Sequence, residues 1–343
     1  NKEGLRTFKV QVSVHLLIYF IEHIFYNFSM NKIKIFSGNS NIRLSKAISK
    51  KLKVPLGKLN IKRFSDGEIF VEVDESVRGS NAYVIQSTSG PVNENLMELF
   101  IIVDALKRAA VNEITAVIPY FGYSRQDRKV TDRSPITARL VCDLLIKSGI
   151  QKIVTMDLHA GQIQGFFDIP VDHLYSSTIA INYIKKKFKN KDFIIASPDA
   201  GGMERARAFA KKLNDADLAM TDKRRPAPNV AEITNVIGEV QNKHVILIDD
   251  LIDTGGTAAK SAEALVKSGA KSVSMFCTHG VLSGNAIENI ANSCIDELII
   301  TDTIDNQEKL KKSNKIKVLT VSTLIAEAIN RIRNNKSISQ LFS

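Results

Sequence analysis

Short apolar runs rich in β-branched residues alternate along this chain with longer stretches whose apolar positions recur at helical spacing. The alternation predicts repeated strand–helix units around parallel sheets. Ile33-Lys34-Ile35-Phe36 opens the series and gives way to the punctuation Ser37-Gly38-Asn39-Ser40. Ala82–Gln86 reads as a strand, and Asn95–Ala110 as a helix with Leu96, Leu99, Phe100, Val103 and Leu106 on one face. Thr115–Ile118 ends at Pro119 and a polar loop. Pro135 then sits where a first helical turn would begin, and Ile150–Met156 forms a further strand. The second half repeats the grammar with strands over Phe193–Ala196, Val245–Ile248 and Ser272–Cys277, each followed by a polar or Gly-containing loop and a helix. The expected fold is α/β, with two doubly wound domains each built on a mainly parallel central sheet. Ligands of such sheets sit beyond the carboxyl ends of the strands, so the loops there are where chemistry is to be sought.

The 343 residues, 44% of them hydrophobic, suffice for two cores of ordinary size. Cys142, Cys277 and Cys294 have neither metal-site nor disulfide spacing, which fits a reducing, cytoplasmic setting. The formal net charge of +11 suits polyanionic partners. Runs such as Lys185-Lys186-Lys187 read as solvated helix faces, and phosphorylated small molecules account for the charge as well as nucleic acid does, so no nucleic-acid partner is expected. Val10–Ile21 is an uncharged apolar run between Lys9 and Glu22, too short to span a bilayer comfortably and followed by no small-residue cleavage pattern. Met30 offers a simpler start, and no membrane association is expected. The division read from the chain is an extension over 1–29, domains over 30–176 and 177–333, and a tail over 334–343.

The most specific segment runs from Val245 to Thr257, a buried strand leading into acids, a glycine pair and a helix. Thr254, Gly255, Gly256 and Thr257 can present consecutive backbone N–H groups and hydroxyls to a phosphate at a helix N-terminus, where unsatisfied amides favour an anion. Asp249 and Asp250 would repel that phosphate but suit two vicinal hydroxyls of a ribose, with Asp253 near the anomeric end. A capping aspartate in a plain strand-to-helix turn is the bland alternative; three acids and a double glycine exceed what a cap needs.

This segment resembles the ribose-phosphate loop of the phosphoribosyltransferase fold. Further co-linear motifs extend the likeness from Met30 to the C-terminus: Arg63-Phe64-Ser65-Asp66-Gly67-Glu68, Asn93-Glu94-Asn95-Leu96-Met97-Glu98-Leu99, Tyr123-Ser124-Arg125-Gln126-Asp127-Arg128-Lys129, Asp157-Leu158-His159-Ala160, Gln164–Asp172 and Ser197-Pro198-Asp199-Ala200-Gly201-Gly202. Together they are similar to the ribose-phosphate pyrophosphokinase family. That resemblance implies transfer of the diphosphoryl group of Mg-ATP to ribose 5-phosphate, with AMP as leaving group, feeding nucleotide biosynthesis. The alternatives are a phosphoribosyltransferase, which has no reason to carry the second α/β domain, and a non-catalytic regulatory homologue, in which damaged metal or loop positions are expected.

No Gly-x-x-x-x-Gly-Lys-Ser/Thr loop exists, so ATP needs another constellation. Arg125, Gln126, Asp127 and Lys129 mix cations with hydrogen-bonding groups after a strand end, as a triphosphate and adenine require. The resemblance implies that Phe64, Asp66 and Glu68 form the adenine site; the residues alone would make Phe64 a core side chain. Asp157, His159 and Asp199 are the implied metal side, Mg2+ being the ion expected with a triphosphate, and His159 also stands near the nucleotide. In Thr221–Asn229, Lys223 and Arg225 are the implied catalytic pair of a mobile loop, neutralising charge on the β-phosphoryl group. Ser76, Arg78, Arg133, Ser337 and Phe342 are implied as a separate anion site for the effectors phosphate and ADP. The family also implies a homo-oligomer, dimer-based and often hexameric, with Phe64 at a subunit boundary.

Overall fold

The computed structural model describes residues 33–224 and 233–342. The extension 1–29 and Arg225 lie outside the described residues. Among the described residues fourteen strands fall into two sheets and a hairpin. The first sheet joins β1 (Ile33–Ser37), β4 (Asn81–Ile85), β5 (Glu113–Ile118), β6 (Lys152–Met156) and β7 (Val171–Leu174) in that order, all parallel. The hairpin of β2 (Leu59–Arg63) and β3 (Ile69–Val73) stands apart from it.

The second sheet has the order β10 (Ile233–Ile237), β9 (Leu218–Arg224), β8 (Phe193–Ser197), β11 (His244–Ile252), β12 (Ser272–Gly280), β13 (Ile295–Thr301) and β14 (Ile316–Leu319). Its strands are parallel except for the antiparallel edge pair β9–β10. Both sheets are thus mainly parallel and covered by helices on both faces, as the strand–helix alternation predicts.

Period-two alternation sends each strand's residues to opposite layers. Ala82, Val84, Ala116 and Ile118 pack under the helices Val92–Arg108 and Thr137–Ser148, whereas Tyr83, Ile85 and Val117 face Leu44 and Ile48 of the helix Ile42–Leu52. The last helix, Ser322–Arg333, follows the second sheet in sequence but buries Ile325, Ala328 and Ile329 in that same layer of the first sheet. In the second sheet Ile195, Ile246, Ile248 and Phe276 pack with the helices Ser177–Lys187 and Met203–Lys212. Val245, Leu247, Met275 and Cys277 pack on the opposite side, against Gly256–Lys267. Among the described residues no helix is long and apolar enough to cross a membrane.

Two differences from the sequence reading matter for the site. The central strand continues from Ile248 to Ile252, because β12 continues beside it with Leu251 opposite His279 and Ile252 opposite Gly280. Asp249 and Asp250 therefore sit on a strand, where the ladder holds their backbone. Thr221 to Arg224 likewise belong to β9 rather than to a loop, with Lys223 opposite Thr234.

Candidate active site

The carboxyl ends of the two sheets face each other, and two of the ion pairs that cross the seam join segments expected to carry chemistry. Arg125, on the loop after β5, places Nη1 2.7 Å from Asp253 Oδ2. His159, on the loop after β6, places Nδ1 2.8 Å from Asp250 Oδ2. The residues expected on the nucleotide side are thereby brought against those expected on the ribose side, by contacts that sequence spacing could not supply.

Asp250 is only 3% exposed. Burial pushes its pKa up, but the hydrogen bond from His159 and the charge of Arg205 outweigh it and hold the carboxyl at about 2. Asp249 goes the other way: burial, then the adjacent Asp250 charge, raises it well above the usual carboxylate range. The two adjacent carboxyls are thus shifted in opposite directions by their surroundings. The His159 imidazole is raised above its ordinary value by its bond to Asp250, against the opposing effect of burial. Asp253 is raised by burial and lowered more strongly by hydrogen bonds from Ser283 and Arg125.

Arg205, in the helix Met203–Lys212, is the residue that sequence reasoning missed. Its Nη1 lies 3.1 Å from Asp250 Oδ1 and 3.5 Å from Asp249 Oδ1. Its signal was a cation in the first turns after Ser197–Gly202, hidden among the basic positions of an ordinary amphipathic helix. Gly202 is needed there, since a Cβ would stand 2.5 Å from Ser197 Oγ.

Beyond Asp253 the chain enters the helix Gly256–Lys267 through Gly255, whose φ of +76° is a left-handed conformation that favours glycine. Thr254 and Thr257 are exposed at this turn, where the first-turn N–H groups lack intrahelical acceptors. Gln126 Oε1 accepts from Thr137 Oγ1 at 2.6 Å, and Asp127 Oδ2 accepts from Gln162 Nε2 at 3.0 Å. Lys129 is exposed.

Phe64 is 57% exposed at the tip of the β2–β3 hairpin, edge to face with Phe70 at 5.9 Å. The core reading that its residue type favours is incorrect, because a hairpin tip has no layer above it to pack against. Asp66 Oδ1 accepts from the Glu68 amide at 3.1 Å, within the same exposed turn. Arg63 pairs with Glu94, and the neighbouring Asn93 accepts from the Tyr123 hydroxyl at 2.5 Å, so the hairpin is tied to the loop that carries Arg125.

The expected metal trio is dispersed. Asp157 Oδ2 accepts from Ser176 N, Ser176 Oγ and Thr278 Oγ1 at 3.0, 2.5 and 2.7 Å. Asp199 Oδ1 accepts from Gly202 N at 2.9 Å, and its residue is exposed. Among the described residues no three His, Cys, Asp or Glu side chains converge as a metal cage. This donor set fits a divalent ion held by one or two protein groups together with phosphate oxygens and water, as Mg2+ prefers.

The expected effector residues stand on separate elements. Ser76 and Arg78 are exposed before β4, and Arg133 is exposed after the Arg125 loop. Ser337 Oγ lies 2.7 Å from Ser339 Oγ, and the Phe342 ring stands edge to face with Tyr175 at 5.3 Å.

Comparison with known proteins identifies the family. The family described as the N-terminal domain of ribose phosphate pyrophosphokinase matches residues 33–149, and that described as the phosphoribosyl synthetase-associated domain matches residues 215–343. A ribose-phosphate pyrophosphokinase of Haemophilus influenzae is 54% identical over 315 residues, covering 92% of this chain and all of the relative. One of Campylobacter jejuni is 55% identical over 314 residues, covering 91% and all of it. The solved phosphoribosylpyrophosphate synthetase of Mycobacterium smegmatis superposes with a TM-score of 0.85 at 40% identity, over 89% of this chain and 99% of that one.

Proposed function

The chain belongs to the ribose-phosphate pyrophosphokinase family, and we propose that it moves the diphosphoryl group of Mg-ATP onto O1 of ribose 5-phosphate, releasing AMP and 5-phospho-α-D-ribose 1-diphosphate. The carrying observation is the seam: Arg125 and His159 of one sheet's loops meet Asp253 and Asp250 of the other's. A phosphoribosyltransferase does not account for that second set of loops, and relatives named as the enzyme do not favour a regulatory homologue.

The sugar phosphate is held at Thr254, Gly255, Gly256 and Thr257, where a helix N-terminus leaves N–H groups without intrahelical acceptors and two exposed hydroxyls stand beside them. Asp249 and Asp250 take the two vicinal ribose hydroxyls, and Asp253 lies toward the anomeric end. Arg125, Gln126, Asp127 and Lys129 hold the triphosphate side. Phe64 stacks on the adenine, with Asp66 and Glu68 accepting from its amine. Lys223 and Arg225 neutralise charge developing on the β-phosphoryl group, a transition-state role. Asp157, His159 and Asp199 would hold Mg2+, with Asp157 also setting the loop that carries His159. The ion, bound with the triphosphate, supplies charge neutralisation on phosphoryl oxygens. No covalent nucleophile is required, since positioning and electrostatics suffice for this class of transfer.

The division at residues 176 and 177, the cytoplasmic setting, the phosphate and ADP effector site at Ser76, Arg78, Arg133, Ser337 and Phe342, and a dimer-based homo-oligomer belong to the same proposal. Three unpaired cysteines support the compartment. The exposed Phe64, Met97, Leu140 and Leu144 support self-association. AMP release from ATP should depend strictly on added ribose 5-phosphate; AMP formed equally without the sugar would overturn the assignment.

A further inference from the structure

The two loops that cross the seam rest on one buried imidazole of the second sheet. His279, on β12, is 2% exposed. Its Nε2 lies 3.1 Å from both the Met156 and Asp157 carbonyl oxygens, so the proton assigned to Nε2 is donated to them. Nδ1 then accepts from Thr303 Oγ1 at 3.0 Å. The ring stands edge to face with Tyr120, centroids 5.0 Å apart. The preceding Thr278, 1% exposed, donates to Asp157 Oδ2 at 2.7 Å.

Asp157 has a φ of +38°, a left-handed conformation that costs a side chain about 1–2 kcal/mol and needs its surroundings to enforce it. Thr278, Ser176 and His279 are those surroundings, gripping its carboxylate and its carbonyl. Two residues beyond Asp157 stands His159; five beyond Tyr120 stands Arg125. The groups that meet Asp250 and Asp253 are therefore carried on loops seated on the same adjacent pair, Thr278 and His279. Thr278 and His279 hydrogen-bond to Asp157 and Met156 rather than to Arg125, His159, Asp250 or Asp253, so they act on the seam's ion pairs through the loops.

We propose that Thr278 and His279 are positioning residues, which register the nucleotide-side loops of the first sheet against the ribose-side loop of the second. The proposal rests on the reaction assigned above, since register matters only where two substrates on opposite loops must align. A misplacement of about 1 Å can lower a rate on the order of 10²-fold while each substrate still binds.

The test uses the full chain. Thr278→Val keeps the volume and removes the hydroxyl, Thr278→Ser restores it, and His279→Gln keeps a donor for the two carbonyls but loses the ring. Thr278→Val should lower kcat for sugar-dependent AMP release on the order of 10²-fold, with both KM values within about threefold and with Thr278→Ser recovering most of the rate. Calorimetric Kd values for α,β-methylene-ATP alone and for ribose 5-phosphate alone should stay at wild-type values. Should Thr278→Val fail to fold, His279→Gln carries the same kcat and Kd comparison. The proposal is overturned by unchanged kcat with a lowered melting temperature, by equal losses in the Val and Ser variants, or by loss of single-substrate binding. Wild-type protein lacking sugar-dependent AMP release would instead refute the assigned reaction.

Discussion

Replacing His159 with alanine should destabilise the protein in a pH-dependent way, because the imidazole spans the seam to a buried carboxylate. A hydrogen bond to a charged group contributes about 1.5–3 kcal/mol. The His159 side chain is 38% exposed, so water replaces part of what is lost, and about 1–2 kcal/mol is the working figure. For a cooperative unit of this size that is roughly 2–8 °C in melting temperature. The folded pKa of His159 is raised, so its charged contribution is complete below the unfolded value of about 6.5 and is lost as pH rises through the folded pKa. Asp250, held at about 2, contributes above its unfolded value and loses that only as pH falls through 2, so it stays ionised throughout the window. At pH 6 both partners carry charge; at pH 9.5 a neutral imidazole still donates a weaker bond. The melting gap between wild type and His159→Ala, read by calorimetry, should therefore be about twice as large at pH 6 as at pH 9.5. An equal gap at the two pH values, or a larger one at pH 9.5, would refute the ionic reading of the pair.

Lys223→Ala and Arg225→Ala should lower kcat far more than they raise KM, in steady-state assays of AMP formation; a pure KM effect would move both to ground-state binding. Asp253→Asn should raise the KM for ribose 5-phosphate and lower kcat, while costing at most about 1 kcal/mol of stability, since the Arg125 partner is half exposed. A large fall in melting temperature would make Asp253 a structural residue instead. ADP should inhibit wild type at saturating ATP and inhibit Arg133→Ala much less; purely ATP-competitive inhibition in both would remove the separate effector site.

Strands β1, β4, β5, β6, β8, β11 and β12 and the Val92–Arg108 helix were legible because their apolar periods survive in one dimension, whereas in the β2–β3 hairpin and the edge strands β7, β10 and β14 polar residues break the apolar run. The strand-to-helix turn expected to take the ribose was legible as a motif because Asp249, Asp250, Asp253 and the Gly255-Gly256 pair lie within a single stretch of chain. What the sequence could not show is contact across the seam. Nothing local tells that His159 faces Asp250, that Arg205 completes that pair, or that Ser322–Arg333 returns to the first sheet. Phe64 misleads for the opposite reason: its residue type favours burial, but the hairpin puts it in solvent. Asp157 reads as a metal ligand by motif, and only Ser176 and Thr278, distant in sequence, reveal the three donors on its carboxylate oxygen.

The central claim is that the β-phosphorus of ATP is the atom attacked. ATP labelled at the β-phosphorus, incubated with ribose 5-phosphate, Mg2+ and the full chain, should deliver its label to the sugar product, with one AMP formed for each labelled sugar. Label recovered as inorganic phosphate, or ADP as the nucleotide product, would contradict the account.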